Sequence, residues 1–251
     1  MVNLKHPSLA TIIMAAGKGT RMNSDLPKVL HLVDGKPMLM HVIDLARQLD
    51  SERIINILGH KKELVIEAIK SENVEYVIQE PQLGTGHAVQ QTESLLKDFT
   101  GDVLVLSGDV PLLRKSTIDK MLKIHREADN GATVLTAIFK NPHGYGRVLR
   151  KDDNTLDIII EEKDCNDEQR KIKEINAGIY IFKAKELFPA LRKIKNDNKQ
   201  NEYYLPNALK YIAKSGQSIA LHITDEPIEI SGVNTVEQLK ELNLIYKKWY
   251  G

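Results

Sequence analysis

The sequence predicts an α/β protein built on a doubly wound, mostly parallel sheet with an inserted β-rich lobe. Three observations carry this. Short apolar, often β-branched runs alternate with amphipathic segments from residue 9 to about 139; a glycine-rich loop follows the first apolar run; and beyond residue 140 the rhythm changes to a turn-rich hairpin.

The first strand is read at Leu9-Ala10-Thr11-Ile12-Ile13-Met14, followed by strands over Arg53 to Leu58, Val74 to Ile78, Asp102 to Leu106 and Ala132 to Phe139. Each is short and apolar, as strands covered on both faces are. Behind Pro37, a favoured first helical residue, Met38, Leu39, Val42, Ile43, Leu45, Ala46 and Leu49 recur at three-to-four spacing and predict a helix. Further crossover helices are expected over 61–71, 85–97 and 115–127. Arg147 to Arg150, the turn-forming Lys151-Asp152-Asp153-Asn154 and Thr155 to Ile160 predict a hairpin. Ala177 to Phe182 returns to an apolar strand. Tyr204, Leu205, Ala208, Leu209, Ile212 and Ala213 place a stripe on a helix beginning after Glu202, and Val236, Leu239, Leu242 and Tyr246 define a last helix.

Composition narrows the function classes. The 251 residues are 42% hydrophobic and 27% charged, enough for a full core and unlike a disordered chain. Thirty-five basic against 34 acidic residues give a net charge of +1, and aromatic content is 5%, which disfavours nucleic acid and anionic membrane as partners. The single cysteine, Cys165, makes no intrachain disulfide and suits a reducing, cytoplasmic setting. Lys5 and His6 precede an apolar run, but that run passes into a glycine loop, so a strand is expected there rather than a signal peptide. No apolar stretch approaches the roughly 20 residues of a membrane span.

Any bound anion therefore needs a local site. Ala15-Ala16-Gly17-Lys18-Gly19-Thr20-Arg21, with Lys28 following Pro27, supplies one: small residues admit backbone N–H groups to an anion, and three cations lie close by. The loop is neither a Walker sequence nor the dinucleotide fingerprint. Gln79, Gln82, Gly84 and Thr85 fall between a strand and a helix, where amides and backbone can pair with the edge of a flat base; alone, Gly84-Thr85-Gly86 also reads as a helix cap, with Thr85 the N-cap and His87 a packing residue. Asp109, across Ser107-Gly108 from a strand, offers a hard oxygen ligand suited to Mg²⁺. Asn234 alone reads as the N-cap of the last helix.

At these residues the chain resembles the sugar-nucleotide pyrophosphorylases, a nucleotidyltransferase family that opens with a small-residue loop ending in Arg, then Pro-Lys. The match extends through Gln79 to Ala88, Gly108-Asp109-Val110-Pro111, Gly144-Tyr145-Gly146-Arg147, Glu161-Glu162-Lys163, Glu174-Ile175-Asn176-Ala177-Gly178, Glu202-Tyr203-Tyr204 and Gly232-Val233-Asn234, in order and over nearly the whole chain. The order is that of members acting on UTP and N-acetylglucosamine 1-phosphate.

The resemblance implies a Rossmann-like nucleotidyltransferase fold with residues 1–139 as the nucleotide part, 140–234 as a sugar-binding lobe with return strands, and 235–251 as a C-terminal helix. It implies nucleotide contacts from Ala15, Ala16, Gly17, Gly19, Thr20, Gln79, Gln82, Gly84 and Thr85, with uracil as the base. Arg21 and Lys28 would be catalytic, Asp109 and Asn234 would share Mg²⁺, and Gly146, Glu161, Asn176 and Tyr204 would face the sugar. Departures occur at Ser107, where an aromatic residue is common, at Ala177, where Thr is common, and at Pro206-Asn207, where Thr-Asp is usual. Those at Ala177, Pro206 and Asn207 bear on the sugar, so a pyrophosphorylase for another sugar phosphate or nucleotide is the rival reading, and a non-catalytic sugar-nucleotide sensor the rival of another class. Bifunctional members carry a β-helix of hexapeptide repeats; the sequence contains none, so acetyl transfer is not expected of it and no oligomeric state is assigned.

Overall fold

A computed structural model describes residues 7–17, 19, 22 and 24–250. The strands are β1 (Leu9–Ala15), β2 (Leu32–Val33), β3 (Lys36–Pro37), β4 (Arg53–Leu58), β5 (Glu75–Ile78), β6 (Asp102–Ser107), β7 (Ala132–Ile138), β8 (Arg147–Arg150), β9 (Leu156–Ile160), β10 (Glu174–Lys183) and β11 (Ile219–Ile223). The helices are α1 (Met38–Gln48), α2 (Lys62–Ile69), α3 (Thr85–Gln90), α4 (Lys115–Glu127), α5 (Asp167–Arg170), α6 (Ala184–Leu191), α7 (Asn207–Lys214) and α8 (Val236–Tyr250).

Among the described residues, nine strands form one sheet, ordered β11-β7-β10-β6-β1-β4-β5, with the β8–β9 hairpin attached to β10. Strands β6, β1, β4 and β5 are mutually parallel, and β11 is parallel to β7. Strand β10 alone on this path runs against its neighbours, pairing antiparallel with β6 and β7.

Alternation along the strands divides the core between the two faces. Ile13, Leu104, Leu106, Ile179 and Ile181 pack with Val42, Ile43, Val65, Ile118 and Met121 of α1, α2 and α4. Ile12, Val103, Val105, Tyr180 and Phe182 pack on the opposite face with Val89, Leu187, Phe188, Leu209 and Ile212 of α3, α6 and α7. Helix α8 lies elsewhere: Leu242 joins Met22, Val33, Met38, Leu112 and Val233 in a third cluster. Among the described residues no helix is long and apolar enough to cross a membrane.

Several boundaries differ from expectation. Helix α3 ends at Gln90 rather than 97, because the following turns tighten onto three-residue bonds such as Glu93 N–H to Gln90 O, with the Thr92 hydroxyl donating to Val89 O. Helix α7 begins at Asn207 rather than just after Glu202, since the backbone of Tyr203 to Leu205 is bonded to residues 83–86. Pro37 pairs with Leu32 and precedes α1 instead of opening it. The N-terminal cap of α8 is Thr235, whose hydroxyl accepts from Gln238 N–H while Gln238 Oε1 accepts from Thr235 N–H, so Asn234 is not the cap.

Candidate active site

The carboxyl ends of β1, β5 and β6 converge on one cleft of about 450 Å³. Its floor is Met14 to Gly17, its flanks Gln79, Gln82, Gly84 and Thr85, and its inner end Lys28, Ser107 and Asp109. This is where open α/β sheets bind ligands, because the loops leaving successive parallel strands diverge there. Gln82 donates its side-chain amide to Ala16 O, tying two walls together. Gln79 Nε2 donates to Gly84 O at 2.9 Å and lies 3.2 Å from His87 Nδ1. The Gly84 carbonyl, which also accepts from Ala88 N–H at 3.0 Å, can only accept, so the Gln79 amide turns its nitrogen to it and its oxygen is left as an acceptor at the cleft wall.

Gly84 has φ +103°, and a Cβ there would lie 2.7 Å from Tyr203 O and 2.9 Å from Glu202 Cβ. The closeness has a cause. Tyr203 N–H donates to Leu83 O at 2.8 Å, Gly86 N–H to Tyr203 O at 2.7 Å, and Leu205 N–H to Thr85 Oγ1 at 2.9 Å. Gly84 precedes α3, and the Thr85 hydroxyl, expected as a cap, instead accepts from the distant strap.

At the inner end the Lys28 ammonium forms an ion pair with Asp109 Oδ2 and donates to Asn234 Oδ1 at 3.0 Å. Asp109 Oδ1 accepts from Ser107 Oγ at 2.6 Å, and Val233 N–H reaches Asp109 O at 3.3 Å. Gly19 packs against Lys28, where a Cβ would come within 2.7 Å of Lys28 Cβ.

A second, smaller cleft of about 190 Å³ adjoins the first, with Met14 and Thr85 in the walls of both. Gly146, Glu161, Asn176, Ala177, Tyr180 and Pro206 line it. Gly146 O accepts from Asn176 N–H at 2.9 Å, joining the hairpin to β10. Burial pushes the Glu161 carboxyl up to about 7, with the Asp164 and Glu202 carboxylates adding repulsion.

The comparison that decides the family covers most of these elements: the profile of the MobA-like NTP transferase domain matches residues 11–208. The chain belongs to the MobA-like NTP transferase family. Among curated proteins, this MobA-like NTP transferase chain is 43% identical over 240 residues to the bifunctional protein GlmU of Syntrophomonas wolfei, covering 96% of the chain and 53% of GlmU. It is 47% identical over 236 residues to GlmU of Clostridium beijerinckii, covering 94% and 51%. The chain thus spans about half the length of the curated relatives it matches. Among solved structures, a UDP-glucose pyrophosphorylase complexed with UDP-glucose superposes with a TM-score of 0.74 at 20% identity, over 97% of this chain and 99% of that one, a likeness of fold.

Of the residues singled out by sequence, Ala15, Ala16, Gly17, Lys28, Gln79, Gln82, Gly84, Thr85 and Asp109 line the larger cleft of this MobA-like NTP transferase. Gly146, Glu161 and Asn176 line the smaller. Thr20 and Arg21, with Lys18, lie outside the described residues. Tyr204 lines neither cleft: its hydroxyl accepts from Gln200 Nε2 at 2.8 Å, and burial pushes its phenol up to about 12. Met14, Ser107, Tyr180 and Glu202 also line the clefts, although the sequence assigned none of them to the site. Ser107 had a signal in its place two residues before Asp109; Tyr180 had none, because it reads as one apolar residue of a strand.

Proposed function

We propose that the chain is a uridylyltransferase joining UTP to N-acetylglucosamine 1-phosphate, giving UDP-N-acetylglucosamine and pyrophosphate. The observation that carries this is the Lys28 ammonium held jointly by Asp109 and Asn234 at the inner end of a nucleotide-sized cleft, beside a second pocket lined by polar groups. Residues 1–139 then form the nucleotide part, 140–234 the sugar part and 235–251 an accessory helix of a cytoplasmic enzyme.

The sugar phosphate is already an anionic nucleophile, so the reaction needs no general base. One of its phosphate oxygens forms a bond to the α-phosphorus of UTP, the bond from that phosphorus to the bridging oxygen breaks, and its electron pair leaves with pyrophosphate. The protein's contribution is alignment and charge neutralisation. Lys28 binds phosphate oxygens near the reacting centre, and Arg21 is proposed to meet the leaving pyrophosphate. Gln79 presents an acceptor to the N3–H of uracil and disfavours cytosine, whose N3 is itself an acceptor.

The residues present fit a divalent ion. Lys28 already serves as a stand-in cation between one carboxylate and one amide oxygen, the hard donors Mg²⁺ accepts. Among the described residues no group of three or more His, Cys, Asp or Glu could hold a metal, so Asp109 and Asn234 would share the ion with phosphate oxygens and water. When bound, the ion neutralises the triphosphate and polarises the attacked phosphorus.

The test is pyrophosphate release from each of the four common NTPs with a panel of sugar 1-phosphates. Release confined to UTP and the N-acetylated sugar is expected. Preference for another sugar would move the specificity to Ala177 and Pro206, which line the small cleft. Nucleotide binding without release would make the chain a sensor.

A further inference from the structure

In a regular strand, residues four apart lie about 13 Å from one another, too far for side chains to bond. Strand β10 breaks that rule. Against β7, Asn176 pairs with Thr136 and Tyr180 with Val134, so four steps on β10 oppose two on its partner. The surplus is absorbed in a bulge at Gly178, whose φ is +72°, a conformation other residues adopt only under strain. The shortening brings Asn176 Nδ2 to 2.6 Å from the Tyr180 hydroxyl, to which it donates. Gly178 N–H donates to Asn176 Oδ1 at 3.1 Å. A backbone N–H needs an acceptor, so the amide cannot be flipped: its oxygen faces Gly178 and its nitrogen Tyr180.

We propose that Tyr180 is a positioning residue for the sugar 1-phosphate, holding the Asn176 amide in one orientation at the wall of the smaller cleft. This rests on the proposed reading of that cleft as the sugar site. Tyr180 and Asn176 both line it. With one Nδ2 proton given to Tyr180 and one lone pair of Oδ1 given to Gly178, the amide keeps one donor and one acceptor for a ligand. Tyr180 is itself 2% exposed and stacks on Phe182 with ring centroids 5.6 Å apart, so the phenol has no freedom to follow a rotating amide. Burial, reinforced by the Glu161 carboxylate, raises the pKa of the phenol, which therefore stays neutral and retains its proton. Its ring is explained by the core. Its hydroxyl is not, since a buried hydroxyl without a purpose costs stability relative to phenylalanine.

The experiment compares wild type with Tyr180→Phe, which keeps the ring, and with Asn176→Ala and the double variant. Three quantities are read: the KM of each substrate, kcat, and the exchange protection of the Asn176 side-chain NH₂ resonances by NMR. Tyr180→Phe is expected to raise KM for the sugar phosphate about tenfold, leave KM for UTP and kcat within about twofold, and lose the protected NH₂ pair. The double variant is expected to be no worse than Asn176→Ala, as for two groups acting as a unit. An unchanged sugar KM in Tyr180→Phe, or equal rises for both substrates, overturns the inference while leaving the function standing. A wild-type protein that neither binds nor turns over any sugar phosphate overturns the function, and the inference with it. A protected NH₂ pair unaltered in Tyr180→Phe overturns the positioning role whatever the ligand.

Discussion

Lys28 Nζ and Asn234 Oδ1 meet at 3.0 Å although 206 positions separate the residues in sequence. The first follows the loop leaving β1, the second lies just ahead of α8, and Asp109, two residues past β6, pairs with the same ammonium. Lys28→Ala and Asp109→Ala are expected to fold and to lose turnover by about 10²- to 10³-fold, the scale of one electrostatic group at a reacting centre. Pyrophosphate release with circular dichroism melts checks this; wild-type rates in either variant would remove that residue from the mechanism.

The same contact predicts how the protein responds to metal removal. Because Lys28 already neutralises Asp109, a chelator should leave the melting temperature of the ligand-free protein unchanged. It should abolish pyrophosphate release, and excess Mg²⁺ should restore it. A large fall in melting temperature on chelation would mean a structural ion instead.

Glu161 supplies a pH dependence. Its carboxyl is raised from 4.5 to about 7 in the folded protein. Between those values the folded state binds more protons than the unfolded one, so stability is fully present below about 4.5 and declines as pH rises through 7. Glu161→Gln, which mimics the neutral form, should melt near wild type at pH 4.5 and above it at pH 8.5 (on the order of 1–3 kcal/mol). A melting difference independent of pH would refute the shift.

Gln79 is expected to govern the choice of base. Gln79→Leu removes the acceptor and leaves the N3–H of a bound uracil facing an apolar side chain. KM for UTP should rise at least tenfold and discrimination against CTP should fall, in line with the 1–3 kcal/mol cost of an unpaired buried polar group. Competition between the two nucleotides in one reaction reads this directly.

Gly84→Ala tests the strap. With φ at +103° and Tyr203 O only 2.7 Å from the added methyl, the variant should lose about 2–4 kcal/mol in urea unfolding. A loss under 0.5 kcal/mol would show that residues 202–205 are not tightly docked.

Much of this was legible in the sequence, for a physical reason. Strands β1, β4 and β6 are buried on both faces, so apart from Arg53 and Asp102 at strand starts and the buried Asn56 their residues are apolar or small, and α4 spans 115–127 as its stripe predicts. Strand β11 escaped notice because Ile219 to Ile223 lie at the sheet edge, half-exposed, and include His222. Helix α6 was hidden by Pro189 within it. In the site, Lys28 and Asp109 were recognisable because each lies in the stretch after an apolar strand that holds a glycine turn, whereas Glu161 has no glycine beside it and was named by the resemblance alone. Tyr180 was not, since its role depends on a bulge that shifts β10 by two residues, and no periodicity reveals a register. The start of α7 was misplaced for a related reason: the backbone of Tyr203 to Leu205 is claimed by partners about 120 residues away.

The reversed direction of β10 makes the sheet a gauge. Strands β1, β6 and β10 are consecutive neighbours, and because β10 runs the opposite way its beginning, not its end, sits beside the ends of the other two. The larger cleft, at the ends of β1 and β6, and the smaller, at the beginning of β10, are therefore held side by side by a ladder of backbone hydrogen bonds. Lengthening a surface loop leaves that spacing untouched, whereas slipping β10 by a single pair would move one wall of the smaller cleft by a residue while the larger cleft stayed in place.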